Sequence, residues 1–275
     1  MTTARLLAFA SLVLSLGACG PSVETRFVPV GHASGTPLAQ LETRIVRPDG
    51  HGPFPVALLL HGASGGHPAY TDPWQDEIAF LNARGYAAVA PMRRGRGRSS
   101  GVSAEYETRH CEPGAWDAGL ADAHADLDAV LQDAATLPDL DTTRLTLWGV
   151  SRGGFLAVHY AATGRHRQAV ERVVNFVGGW VAQAEDRCPE DFNRIAFGAL
   201  GAHPLPPMLW LYGERDTYYG ADAPAAYLAA FTAAGGHARF RLVTDLPGNG
   251  HELPRHPDRW RADVARFLDQ GESGP

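Results

Sequence analysis

Ser151 lies in Gly149-Val150-Ser151-Arg152-Gly153, directly after the β-rich run Arg144-Leu145-Thr146-Leu147 and ahead of the alanine-rich segment Phe155 to Ala162. A serine on a sharp strand-to-helix turn presents its hydroxyl outward as a nucleophile. Glycine is needed at 149 and 153 because the turn packs backbone against the nucleophile's strand, where a Cβ would collide. A serine hydroxyl is a poor nucleophile near neutral pH, so it needs a base to take its proton and a carboxylate to orient that base. Both follow in the chain. Asp216 stands in Tyr212-Gly213-Glu214-Arg215-Asp216, past the end of a buried apolar run, and His251 in Pro247-Gly248-Asn249-Gly250-His251. Glu214 is the alternative acid, nearer the strand end and longer in reach. His256, before Pro257 at a helix start, and His237, in a turn, are the other histidines weighed, and chain order selects His251. The negative charge that develops on an attacked carbonyl needs two N–H donors. The amide of Arg152 is one and that of Ala63, in His61-Gly62-Ala63-Ser64-Gly65-Gly66, is the other. The side chains of His61 and Ser64 read as loop hydrogen-bonders, and the Arg152 guanidinium receives no chemical role.

These residues must be held by strands and helices in alternation. Arg26 to Val30 and Leu41 to Val46 read as early strands, and Val56 to Leu60, continuously apolar, as a central strand covered on both faces. Asp72-Pro73-Trp74-Gln75 combines a cap, a first-turn proline and a glutamine, predicting a helix to Arg84 that stops at Gly85. Further strands are expected at Tyr86 to Ala90, Arg172 to Phe176, Pro207 to Tyr212 and Arg239 to Leu242. Helices are expected at Asp117 to Ala135, Pro224 to Ala234 and Pro257 to Leu268, the last with Trp260, Val264, Phe267 and Leu268 as one stripe. Asp122, Asp126, Asp128 and Asp133 fall mostly off the apolar face of their helix and read as a solvated set. The pattern predicts the α/β class: a mostly parallel sheet wrapped by helices. Two connections, Met92 to Trp116 and Gly178 to Pro206, exceed what such units need and are expected to cover the substrate at the carboxyl edge of the sheet.

The 275 residues, 45% of them apolar, suit one large domain, expected over 26–270. Residues 1–18, with Arg5, the apolar run Leu6 to Leu16 and then Leu16-Gly17-Ala18-Cys19, read as a secretory signal too short to span a bilayer. Residues 19–25 would be a short tether. Loss of 1–18 removes only Arg5, taking the formal charge from −6 to −7. A mildly acidic chain with no lysine and no basic run leaves no footprint for nucleic acid. Cys111 and Cys188, one in each long connection, are expected to form a disulfide after export. A metal site at His110-Cys111 is the alternative, lacking a second close ligand pair. Arg93, Arg94, Arg96 and Arg98 form the one basic cluster, read as ion pairs supporting a loop, with an acidic or sugar ligand as the other reading. Trp116, Trp180, Tyr218 and Tyr219 are equally pocket or core aromatics.

The shared motifs carry a resemblance. The His-Gly-x-x-Gly-Gly loop, Arg93-Arg94-Gly95-Arg96-Gly97 after a strand, Gly-x-Ser-Arg-Gly-Gly, Leu-Tyr-Gly-x-x-Asp and Gly-x-Gly-His make residues 44–268 similar to the α/β-hydrolase superfamily, close to its dienelactone-hydrolase-like branch. That enzyme proper has a cysteine nucleophile where this chain has Ser151, so its particular reaction does not carry over. The resemblance implies ester hydrolysis through an acyl-enzyme, on a small-molecule or sugar ester, with no cofactor and no metal. Leu16-Gly17-Ala18-Cys19 resembles the lipobox of bacterial lipoproteins, which implies Cys19 as a lipidated mature N-terminus and a membrane-anchored protein facing the periplasm. A serine peptidase of the prolyl-oligopeptidase type shares the catalytic domain and is the second expectation, set back by the lack of a propeller-length N-terminal region. A non-catalytic binding lipoprotein on the same fold is the third.

Overall fold

The computed structural model describes residues 21–33, 36–63, 74–103, 105, 115–182 and 192–270. Among these, eight strands form one sheet in the order β1-β2-β4-β3-β5-β6-β7-β8. β1 (Ser22–Ala33) and β2 (Thr36–Arg47) are an antiparallel hairpin on one edge, joined to β4 (Ala87–Pro91) through Thr43 to Val46. The remaining ladders, among β3 (Phe54–Leu60), β4, β5 (Leu140–Val150), β6 (Val170–Phe176), β7 (Met208–Gly213) and β8 (Arg239–Val243), are all parallel. From β3 the chain steps to β4 on one side and then crosses to β5 on the other. This reversal opens a crevice at the carboxyl ends of β3 and β5, where ligands of open α/β sheets bind.

Period-two alternation sorts the side chains. Trp148 pairs in register with Val174 and then Leu209, while Gly149 pairs with Asn175 and then Trp210. On the first face Trp148 and Phe176 meet Phe80 of α1 (Gln75–Asn82) and Trp260 of α6 (Pro257–Asp269), with ring centroids 5.1 to 6.1 Å apart. On the opposite face Phe155 of α3 (Arg152–Thr163), Phe197 of α4 (Phe192–Gly201), Trp210 and Phe231 of α5 (Ala223–Ala233) form a second chain of contacts at 4.8 to 5.0 Å. Such tilted and edge-on pairs contribute beyond the apolar area they bury.

The elements depart from the sequence expectation in three places. α1 begins at Gln75, after Trp74 in the left-handed region (φ 48°); the Asp72-Pro73 cap falls outside the described residues. The connection read as loop from 178 to 206 contains α4, whose buried Asn193, Phe197, Leu200 and Gly201 recur at helical spacing. Two glycines and the lack of a capping pair hid this stripe. Finally, the acidic residues of α2 (Ala115–Ala134) are not a solvated face. Asp126 is buried against Arg94, Asp122 shares that arginine, Asp128 accepts the Tyr160 hydroxyl, and Asp133 holds Arg26. The helix packs near β1 and the Arg93–Arg98 turn, whose cations reach those carboxylates.

Candidate active site

The elbow at Ser151 is strained and over-determined. Its φ of 55° and ψ of −122° lie where residues with a Cβ rarely go, at a cost of about 1–3 kcal/mol. The neighbourhood holds it there. Ser151 N–H donates to Phe176 O (2.9 Å), and Ser151 O accepts from the amides of Gly154 (2.8 Å), Phe155 (3.1 Å) and Gly179 (3.2 Å). A Cβ on Gly149 would overlap Gly153 O, and one on Gly153 would overlap Leu60 O, so helix α3 can seat against β3 and β5 only with glycine at both. A Cβ on Gly62 would stand 3.2 Å from Ser151 Cβ, which places the turn after β3 beside the nucleophile. Ala63 follows in that turn, and Arg152 opens α3, where helix amides and the positive end of the macrodipole converge.

Asp216 and His251 meet across two loops at the same edge. His251 Nδ1 and Asp216 Oδ2 are 2.8 Å apart, with the carboxylate 1% and the imidazole 12% exposed. A carboxylate accepts, so Nδ1 carries the hydrogen, and in the neutral ring Nε2 then holds the lone pair. Asp216 Oδ1 also accepts from the amides of Tyr218 (2.8 Å) and Tyr219 (3.4 Å). Asn249, which the sequence reading passed over, joins the two loops. Its Oδ1 accepts from His251 N (3.0 Å) and Thr217 N (3.1 Å), and its Nδ2 donates to Thr217 Oγ1 (2.9 Å). Asparagine two residues before the histidine is the signal, because its side chain habitually bonds the backbone two residues on. Tyr218 covers the imidazole with centroids 4.3 Å apart. Glu214 and His237 are exposed, and His256 sits at the junction between the 3-10 turn Gly250–Arg255 and α6.

Ser151 and His251 share no hydrogen bond here. The hydroxyl's partner is Tyr219 OH, 3.3 Å away, and Tyr219 donates to Gly179 O at 2.8 Å. Both Ser151 Oγ and the His251 ring therefore border the same phenol, whose ring stands edge-on to His251 at 5.4 Å. Of the aromatic residues offered as pocket or core, Tyr219 and Tyr218 line the site, Trp180 is buried under the Arg152 guanidinium, and Trp116 packs on Phe192.

The arginines are structural. Arg93 is buried with Glu105 (2.6 Å) and clamps the turn beside Ser151, donating to His61 O (2.8 Å) and Gly62 O (3.3 Å). The His61 ring adds Nδ1 to Gly62 O (2.7 Å) and accepts Arg93 N–H at Nε2 (3.1 Å). Burial and the adjacent Arg93 hold its pKa well below the ordinary value, so the ring stays neutral. Arg98 pairs with Glu42, and Arg96 is buried, pushed down to about 10 by desolvation. The Arg152 side chain donates to Trp180 O (3.0 Å) and Glu105 O (3.2 Å). Cys19, His110, Cys111, Cys188 and Ser64 lie outside the described residues.

Solved structures with this fold are numerous. A dipeptidyl-aminopeptidase-IV-like chain from Bacteroides ovatus matches over 91% of this protein, with TM-score 0.66 and 16% identity. This protein spans only 36% of that chain. A dienelactone-hydrolase-like protein from Klebsiella pneumoniae matches over 91% of this chain and all of its own length (TM-score 0.61, 22% identity). Acetyl xylan esterase from Paenibacillus sp. R4 matches over 94% and 86% (TM-score 0.64, 18% identity). At these identities the likeness establishes the α/β-hydrolase fold. No curated protein sequence matches. A family model, X-Pro dipeptidyl-peptidase (S15 family), matches residues 35–185, which include the turn after β3 and the Ser151 elbow. Since that match covers more than half of the chain, the protein belongs to the X-Pro dipeptidyl-peptidase (S15) family and is a hydrolase of the α/β-hydrolase type.

Proposed function

We propose that the protein is a serine hydrolase that cleaves a carboxylic ester through an acyl-enzyme. The observation that carries this reading is the Asp216–His251 hydrogen bond set at the same sheet edge as a serine on a strained elbow. In acylation Ser151 Oγ forms a bond to the substrate carbonyl carbon while its proton passes to His251 Nε2. Asp216 keeps the imidazole in the tautomer that can accept and balances the imidazolium that results. The amides of Ala63 and Arg152 would hold the oxyanion. The carbon–oxygen bond to the leaving alcohol then breaks as His251 returns the proton, and water repeats the sequence in reverse roles to free the acid. No step calls on a metal or cofactor.

Ester cleavage is favoured by the likeness to the dienelactone-hydrolase-like protein and the acetyl xylan esterase, of whose chains this protein covers 100% and 86%. The family match gives a second reading specific support: an amide bond, as in the X-Pro dipeptides of the family's description. Labelling with a fluorophosphonate separates either reading from a non-catalytic binding protein, since only an activated serine reacts. A panel of short, long, aromatic and sugar esters beside X-Pro anilides then separates the two. Turnover of anilides at rates equal to the best ester would replace the esterase reading. We further propose that the protein is exported and lipid-anchored through Cys19. Intact-mass analysis of the mature N-terminus tests this, and an unmodified end at any other residue overturns it.

A further inference from the structure

Tyr219 closes a circuit on the nucleophile. Its hydroxyl is 2.8 Å from Gly179 O and 3.3 Å from Ser151 Oγ, while Gly179 N–H donates to the Ser151 carbonyl at 3.2 Å. A phenol has one proton, and a carbonyl oxygen can only accept, so the Tyr219 proton is committed to Gly179. The Ser151 contact then has one polarity: Ser151 O–H donates and the phenol oxygen accepts. A phenol oxygen beside a buried carbonyl is no base for this proton. The hydroxyl is thus aimed at an acceptor that cannot activate it, while His251 Nε2, which can, waits without it.

The surroundings keep the acceptor fixed. Tyr219 is 2% exposed and its own amide is tied to Asp216 Oδ1. Gly179 has no room for a Cβ because the Tyr219 ring occupies the place. The turn carrying Gly179 follows Val177, a β-branched residue at φ 43°, and is anchored on both sides. Tyr212 OH donates to Gly178 O at 2.7 Å. Asn193 Oδ1 accepts the amides of Trp180 and Val181, and its Nδ2 donates to Val181 O at 2.7 Å. Burial also raises the Tyr219 pKa far above its ordinary value, which keeps the phenol neutral and its proton on Gly179.

We propose that Tyr219 is a further catalytic residue acting as a latch: it holds the Ser151 hydroxyl away from His251 in the free enzyme, and a bound acyl group hands the hydroxyl over to His251 Nε2. The proposal rests on Ser151 being the nucleophile. Its test is the second-order rate of labelling of the purified protein by a small ethyl fluorophosphonate, in which the Oγ–P bond forms, fluoride leaves and the proton passes to His251. With only a short ethyl chain, the probe offers little surface with which binding could release the latch. Tyr219→Phe keeps the ring and removes the acceptor, so labelling should accelerate by about two- to tenfold, the factor one neutral hydrogen bond supplies. The rate constant is read per labelled site and does not depend on how much of the variant folds. Should Tyr219→Phe not fold at all, a monofluorinated tyrosine placed at 219 keeps the contacts but is a poorer acceptor, and it should shift the rate in the same direction by less. Labelling of the parent protein with no acceleration in the variants, or with slowing, overturns the latch and leaves the nucleophile standing. No labelling of the parent at all removes the nucleophile and the latch with it.

Discussion

Replacing Arg93 by Met tests whether the turn after β3 is held for catalysis or merely for stability. The guanidinium is 2% exposed and the Glu105 carboxylate 1%, so Arg93→Met removes the cation from a fully buried pair. Breaking a buried pair from one side costs about 3–5 kcal/mol. At roughly 2–4 °C per kcal/mol for a domain of this size, Tm should fall by about 6–20 °C. The same change removes the two donors on His61 O and Gly62 O, so the turn that carries the Ala63 amide loses its clamp while keeping the amide. Deleting an oxyanion donor outright costs about 10² to 10³ in kcat, and loosening one should cost less, about tenfold to 10², with KM little altered. The decisive double variant adds Glu105→Leu. With both partners replaced no half-pair remains, and such replacements of a whole buried pair are close to neutral, less what the buried Arg96 loses when Glu105 no longer offsets its charge. The Glu105 main-chain carbonyl that accepts Arg152 is retained. Tm should therefore recover in part toward the parent value, while kcat on the best ester stays low. Thermal melts followed by fluorescence and steady-state kinetics decide it. If the double variant recovers kcat along with Tm, Arg93 only neutralises Glu105 and the clamp argument is wrong. A fall in Tm of under about 2 °C for the single variant would refute the buried pair itself.

Other perturbations bear on separate links. Ser151→Ala and His251→Ala should each lower kcat by about 10³ to 10⁶, because members of one triad act as a unit; full activity in either strips that residue of its role. Asp216→Asn should impair strongly and Glu214→Gln hardly at all, since Glu214 is exposed while Asp216 is bonded to His251; the opposite ranking in kcat/KM would move the acid to Glu214. His124 and His159, hydrogen-bonded at 2.8 Å, are each pushed down to about 4 by burial. Unfolded histidine titrates near 6.5, so between those values the unfolded chain binds more protons. Stability is then whole above about pH 6.5 and is lost as pH falls toward 4. The His124→Leu/His159→Leu variant should flatten Tm against pH in that window, and a slope parallel to the parent's would mean that the pair titrates normally. On the proposal that the protein is exported, Cys111 and Cys188 should be disulfide-bonded, and closing a span of about 80 residues would stabilise it by roughly 4 kcal/mol; two free thiols counted in unreduced, denatured protein would exclude the bond.

What the chain determined by itself is the local grammar. Val56 to Leu60 is apolar throughout and so is a covered strand, the stripe Trp260, Val264, Phe267 and Leu268 can only face a core, and all four prove buried. The glycines at 149 and 153 announced the elbow, because only a missing Cβ lets α3 approach β3 and β5. Chain order sufficed to nominate Asp216 and His251, since each follows a predicted strand at the edge where ligands bind. Beyond the Asp216–His251 pair, contacts between residues distant in sequence were not legible. Asp126 and Arg94 read as a solvated charge and a loop cation until the fold buried them against each other, 32 positions apart. Arg93 meets Glu105 and the His61–Gly62 carbonyls only because β3 and β4 are neighbours in the sheet. Tyr219 was one aromatic among four, and its place on Ser151 depends on Gly179 arriving from the end of β6. Periodicity and turn chemistry act over a few residues, so a sequence displays them directly. The partner of a buried charge or hydroxyl is chosen by strand order and loop docking, and only the assembled sheet supplies those.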